Sequence, residues 1–185
     1  MDHNHRSHDD VSDCGLRIAD DNMESMEATQ ISLRPAGVQD FDYCESLYFV
    51  GMKRIIQELN LNMAVQAASF RQQWELAQVR IITFDGADVG WLQSTTRGDT
   101  LFLAQLFVDG SFQRRGIGSE VVSRLIGEAT RARQSVTLGV VKINPALRLY
   151  ERLGFRVTHE DDHKFYMRRD PGTEAQISNQ GSAVY

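Results

Sequence analysis

"LFVDGSFQRRGIGSEVVSRLI", residues 106–126, changes character twice along its length. A β-rich run ends at Val108, and a turn rich in glycine and arginine follows. From Gly118 onward Val121, Val122, Leu125, Ile126 and Ala129 recur at three- and four-residue steps, which is one apolar face of a helix. A strand that passes through a glycine turn into a helix leaves the helix's first N–H groups without intrahelical acceptors, all aimed one way. Together with the partial positive charge of the helix N-terminus they form an anion site. Gly116 and Gly118 place no β-carbon in the way of a phosphate, and Arg114 and Arg115 add charge with directed hydrogen bonds. The spacing is not that of a P-loop, because no Lys follows Gly118, and not that of a dinucleotide fingerprint, because position 121 is Val. By itself the turn reads equally well as a basic structural turn.

The flanking sequence supplies the context. "ISLRPA" alternates like a short strand and stops near Pro35. From Val38 to about Leu59 apolar residues keep a helical period, with a break expected near Gly51, and a second helical stretch covers about Ala64 to Leu76. "VRIITF", "DVGWLQSTT" and "TLFLAQLFV" are β-rich runs divided by Asp-Gly and Arg-Gly-Asp turns, a meander of three antiparallel strands. After the helix over 118–132, "SVTLGVV" is a further strand. "NPALRLYERLGF" is a short helix ended by Gly154, and "RVTHEDDHKFYMRR" is a hairpin around an acidic turn. The class is α+β: a mixed, mostly antiparallel central sheet flanked by helices, with one parallel crossing from strand 100–108 through the helix to strand 136–141.

Of the chain's 185 residues, 42% are hydrophobic, which suits one domain of ordinary globular composition. The formal charge of -5 is uneven, since residues 1–29 hold eight acids against two arginines. That segment is expected to be a disordered acidic leader, 30–169 the folded domain and 170–185 a flexible tail. The remaining middle is mildly basic, suited to a small anion and not to a long nucleic acid. No apolar stretch nears the roughly 20 residues that cross a bilayer, so no membrane partner is expected and the cytoplasm is the default location. His3, His5 and His8 lack a second ligand cluster, and no metal is expected. Cys14 and Cys44 sit in settings too different for a disulfide, and Cys44 reads as a packed side chain.

With these elements in place, "LFVDGSFQRRGIGSEVVSRLI" resembles the central motif of the GCN5-related N-acetyltransferase (GNAT) superfamily, with its Q/R-x-x-G-x-G/A turn. "VKINPALRLYERLGF" is similar to that family's second motif, and the likeness spans residues 30–169. The resemblance implies acetyl-CoA as cosubstrate. Gln113, Arg114, Arg115, Gly116, Ile117, Gly118 and Ser119 would hold the coenzyme's pyrophosphate, and Leu106, Phe107 and Val108 at the end of a splayed strand would pair with the pantetheine arm. Asn144 would anchor the coenzyme from the other side. The amide of Val108 or its neighbour would polarise the thioester carbonyl.

The implied activity is transfer of an acetyl group to a primary amine of a small molecule by direct attack, with Tyr150 as general acid toward the leaving thiolate. The alternative is a non-catalytic acyl-CoA-binding or sensing module of the same fold. Support for the alternative is Gln105, which stands where many members carry a basic glutamate. Asp109, Glu45 and His163 are the candidate bases, beside a solvent relay. An aromatic set of Tyr43, Tyr48, Phe49, Met52, Phe70, Trp74 and Trp91 is expected to be mostly core with one or two residues lining the acceptor site, and Glu45 and the acidic turn would attract a cationic amine. Helix and strand edges would allow a homodimer.

Overall fold

Alternating side chains along residues 79–108 build the centre of a seven-stranded sheet. The computed structural model describes residues 30–172. The expectations for the leader, its histidines, Cys14 and the C-terminal tail lie outside the described residues. In chain order the elements are β1 Ile31–Pro35, α1 Phe41–Glu58, α2 Met63–Gln73, β2 Val79–Phe84, β3 Ala87–Arg97 and β4 Thr100–Val108. Then come α3 Ile117–Arg131, β5 Ser135–Val141, α4 Leu147–Arg152, β6 Arg156–Glu160 and β7 Lys164–Arg169. The sheet runs β1-β2-β3-β4-β5-β7-β6, and β4 with β5 is its parallel pair. The mixed, mostly antiparallel α+β class expected from the sequence is what the chain adopts.

Two cores hold helices to opposite faces of this sheet. On one face α3 sets Val121, Val122 and Leu125 against Leu92, Leu101, Leu103, Val136 and Leu138, with Tyr150 and Phe155 closing the cluster. On the other, α1 and α2 bury an aromatic layer in which Phe70, Trp74 and Phe107 surround Trp91, with Tyr48 against Phe70 and Phe107. Burying rings of this size contributes most of what fixes α1 and α2 to the sheet. The start of α1 is clamped electrostatically as well. Arg34 on β1 donates two hydrogen bonds to Asp40, at 2.8 and 2.9 Å, and also bonds Asp88 on β3. The Arg34 guanidinium holds the Asp40 carboxyl below the usual carboxylate range.

Three boundaries differ from the sequence expectation, each for a local reason. Helix α1 runs unbroken through Gly51. A β-carbon there would lie 2.7 Å from Cδ1 of Phe107, so the glycine allows close approach to the sheet and does not end the helix. Helix α2 stops at Gln73, short of Leu76, because Trp74 turns extended and brings its ring against Phe41, Phe70 and Trp91. Helix α4 begins at Leu147 and not at Asn144, whose Oδ1 accepts from the N–H of Ala146 at 2.9 Å.

Gly90 marks a second tight approach, beside the far end of β4. A β-carbon on it would sit 2.3 Å from the carbonyl oxygen of Phe107, a backbone atom that cannot swing aside. Gly90→Ala is therefore expected to destabilise the protein by about 1–3 kcal/mol, the range for forcing atoms into a filled space. Urea unfolding of the variant against the wild type measures this; unchanged stability would mean that β3 and β4 are further apart than described.

Candidate functional site

Strands β4 and β5 start together and then part. Their parallel pairing covers four residue pairs, from Thr100↔Ser135 to Leu103↔Leu138. At the same point the β3–β4 ladder shifts register: Ser94 faces Leu103 and Gln93 faces Gln105, which leaves Ala104 as an extra residue on β4. A β-bulge bends its strand and strengthens the local twist. Here it turns the second half of β4 away from β5, which stays paired to β7 through Val141. Between the diverging halves lies a cleft of about 380 Å³, bounded by residues 103–107, by residues 138–141 and by α1 and α2.

The open edge of β4 carries unused backbone groups. Asp109 N donates to Val89 O at 2.8 Å. By the alternation of antiparallel pairing, Phe107 and Gln105 then bond β3, while Leu106 and Val108 direct N–H and C=O into the gap. Gln113 Nε2 donates to the Val108 carbonyl at 2.8 Å, so one of these groups is taken internally. Of the three β4 residues expected at the site, Leu106 and Phe107 line the cleft, the Phe107 ring also belonging to the aromatic core, and Val108 lies on the same open edge beyond the lining.

At the end of β4 the chain makes the expected turn. Asp109 caps a short 3-10 turn by accepting from Ser111 N, which gives this candidate base a structural task. Arg114 and Gly116 have φ of 60° and 81°, and Gly116 is the N-cap of α3. The first N–H to find a helical acceptor is that of Glu120, on Gly116 O at 3.0 Å. Among the described residues the N–H groups of Arg114, Arg115, Gly116, Ile117, Gly118 and Ser119 have no acceptor. The Arg115 guanidinium lies 5.2 Å from the centre of the Phe112 ring, which stacks it over the turn.

Across the gap stand Asn144 and Tyr150. Asn144 lines the cleft, and its side-chain carbonyl accepts from the Ala146 N–H, which leaves its amide group without a partner among the described residues. Tyr150 is buried on α4 against Phe155, lines the cleft, and its hydroxyl has no hydrogen-bond partner among the described residues. Burial pushes its pKa up to about 12, so it holds its proton. Cys44 is fully buried and its thiol is pushed up to about 12 in the same way, which rules it out as a nucleophile at neutral pH.

The remaining candidates separate. His163 and Gln105 border the cleft; Glu45 does not, and its carboxylate lies 3.2 Å from Arg71. Of the aromatic set, Tyr48, Met52 and Phe70 reach the cleft and the others are core. Sequence reasoning missed Gln66, Ser69 and Gln73, which α2 turns toward the same space. Their polar spacing along a helix was visible, but not that this face would meet a cleft and not solvent. Among the described residues no cluster of three or more His, Cys, Asp or Glu could hold a metal ion, and no helix is long and apolar enough to cross a membrane.

The chain is thus an α+β domain whose parallel strand pair parts beside a cleft, with helix N-terminal amides free of acceptors among the described residues at the turn after β4. Residues 75–157 match the family model for the acetyltransferase (GNAT) domain. The uncharacterised N-acetyltransferase of Methanocaldococcus jannaschii is 33% identical over 76 residues, which is 40% of this chain and 34% of that protein. Indeed the chain spans about a third of the length of the curated relatives it matches. The PaiA N-acetyltransferase from Thermoplasma acidophilum, solved in complex with coenzyme A, superposes with a TM-score of 0.57 at 15% identity, covering 76% of this chain and 99% of that one. YncA, a putative acetyltransferase from Salmonella typhimurium solved with acetyl-CoA, gives 0.52 at 20% identity, covering 78% and 96%. At these identities the solved structures establish the shared fold.

The two turn glycines differ in what they do, and this can be measured. A side chain at Gly116 would occupy the left-handed region at a cost of about 1–2 kcal/mol. At Gly118 a β-carbon would make ordinary contact, 3.6 Å from Leu149 Cδ2, within a helix that alanine favours. Thermal unfolding should therefore show Gly116→Ala destabilised and Gly118→Ala at or above wild type; the reverse order would contradict the turn geometry.

Proposed function

We propose that this chain is an acetyl-CoA-dependent N-acetyltransferase that acts on a primary amine of a small molecule, with Tyr150 as general acid. The observation that carries the reading is the parting of β4 from β5 after Leu103↔Leu138, with amides that lack acceptors among the described residues on the turn that follows β4, and the Tyr150 phenol lining the cleft. The residues fit the cosubstrate. Six amides with two arginines suit a pyrophosphate, the Leu106 and Val108 main chain suits an arm that carries amides of its own, and Asn144 has a free donor. Acetyl-CoA supplies an acyl thioester, whose carbonyl carbon takes the amine nitrogen as the C–S bond breaks and the sulfur leaves with the electron pair.

The chain's own residues then have distinct tasks. The amides of residues 114–119 bind, and Arg114 and Arg115 add affinity. The N–H of Val108 or Leu106 stabilises charge on the carbonyl oxygen, a donor held in place by the β4 backbone. Tyr150 gives its proton to the departing sulfur. A phenol near pKa 12 is a weak acid, but the burial that raises it also raises the basicity of an anion formed beside it. The amine must arrive neutral, and its last proton passes to solvent or to His163. The second reading, a module that binds acyl-CoA without turnover, draws on Gln105, which borders the cleft and is a poor base.

Thiol release with acetyl-CoA and a panel of amines decides between the two. Wild type should release thiol, and Tyr150→Phe should lower kcat by about 100-fold or more, the contribution of a positioned proton donor, with little change in coenzyme affinity. Coenzyme binding without thiol release from any amine would favour the module. Arg115→Ala should raise the KM for acetyl-CoA and leave kcat unchanged. Because Tyr150 stays protonated, kcat should show no descending limb below about pH 10; a lower limb that disappears in Tyr150→Phe would contradict the assignment.

A further inference from the structure

The cleft's charge inventory bears on the acceptor. This inference rests on the acetyltransferase reading above. The α3 cradle lies on one face of the sheet, and β4 carries the site through to the other, where α1 and α2 stand. On that second face the register of β7 is informative. Phe165 and Met167 pack into the core on the α3 side, so Lys164 projects to the opposite face, shared with Gln105 and Phe107, and it borders the cleft beside His163. Among the described residues Lys164 has no carboxylate within ion-pairing distance.

Among the described residues no Asp or Glu lines the cleft. Of the four acids that the sequence offered for a cationic amine, Glu45, Glu160 and Asp161 have partners elsewhere, and Asp162 does not line the cleft. Glu45 is drawn to Arg71 at 3.2 Å, and Glu160 pairs with Lys142 at 3.2 Å. Asp161 accepts from the N–H groups of His163 and Lys164 and from the Tyr166 hydroxyl, which holds its carboxyl down at about 2. What faces the acceptor space is neutral and polar: Gln66, Ser69 and Gln73 from α2 and Gln105 from β4. Among the described residues the lining offers a second ammonium no carboxylate, and it offers an anion Lys164.

We propose that the acceptor is a primary amine that also carries a carboxylate, held by Lys164 at the rim of the cleft, and not a polyamine or other polycation. A positive rim also disfavours the ammonium form of the nucleophile, which must lose its proton before it attacks. The amides of α2 supply donors and acceptors for the uncharged part of the molecule. In the balanced step the amine nitrogen gains the acetyl carbon and gives up one proton, the C–S bond breaks, and the sulfur gains a proton from Tyr150. The carboxylate takes no part in it and serves only to orient the amine.

The test compares thiol release from matched pairs, each an amino acid and its decarboxylated amine, with spermidine and kanamycin as polycations. The carboxylated member should have a kcat/KM at least tenfold higher, and the polycations should be the poorest. Lys164→Gln should raise the KM of the amino acid about tenfold while leaving the KM values for the decarboxylated amine and for acetyl-CoA unchanged, and Lys164→Arg should restore it. Equal use of both members of each pair, or preference for spermidine or kanamycin, overturns this inference and leaves the acetyltransferase reading intact. A Lys164→Gln effect confined to the acetyl-CoA KM overturns it too, by assigning Lys164 to the coenzyme. Absence of thiol release from every amine overturns both.

Discussion

One extra residue on one strand organises the site. While β4 and β5 hold their parallel ladder they form an ordinary stretch of sheet, its α3 face covered by apolar side chains and Phe102 exposed on the other. The bulge at Ala104 coincides with the last rung of that ladder, and beyond it the two strands serve different neighbours. A gap in the middle of a sheet is costly unless its backbone groups are satisfied, because buried N–H and C=O groups without partners each cost on the order of 1–3 kcal/mol. The protein tolerates the gap where a ligand can supply those partners, and it answers one carbonyl itself through Gln113.

Everything around the gap either holds it open or equips it. Gly90 and Gly51 let β3 and α1 come close to the bent half of β4, and the Trp91–Phe107 stack fixes that half from the α1 side. The rigid α3 core on the other face sets the direction of the helix whose first amides remain free. Strand β5 stays straight because β7 holds it, so Asn144 and Tyr150 are delivered at a fixed place across the gap. The arrangement is stiff where it binds and open where it reacts, as a preorganised site requires.

Much of this was legible in the sequence. The 3.6-residue period of 117–131 and the alternation of 79–108 mark their elements because each packs on a single apolar face. The turn at 113–118 was legible because glycine tolerates a positive φ, which Gly116 indeed adopts. The splay itself was not written in local preference. It arises from where two strands stop pairing, a property of the sheet and not of any one segment. For the same reason the roles of Gly51, as a contact glycine, and of Gln66, Ser69 and Gln73, as cleft residues, appear only when α1 and α2 are placed on β4. Charge was misleading in one respect: Glu160 and Asp161 look available along the chain and are engaged in the folded protein, and Glu45 lies beside Arg71 away from the cleft.

The central claim is that the gap and the amides beside it are one binding site for coenzyme A. Amide hydrogen exchange with and without coenzyme A measures this at the atoms concerned. Protection should rise together at Leu106, Val108 and residues 114–119, on both sides of the bulge, with little change along β1 or β2. Binding of coenzyme A that leaves those amides exchanging at their free rates would contradict the account.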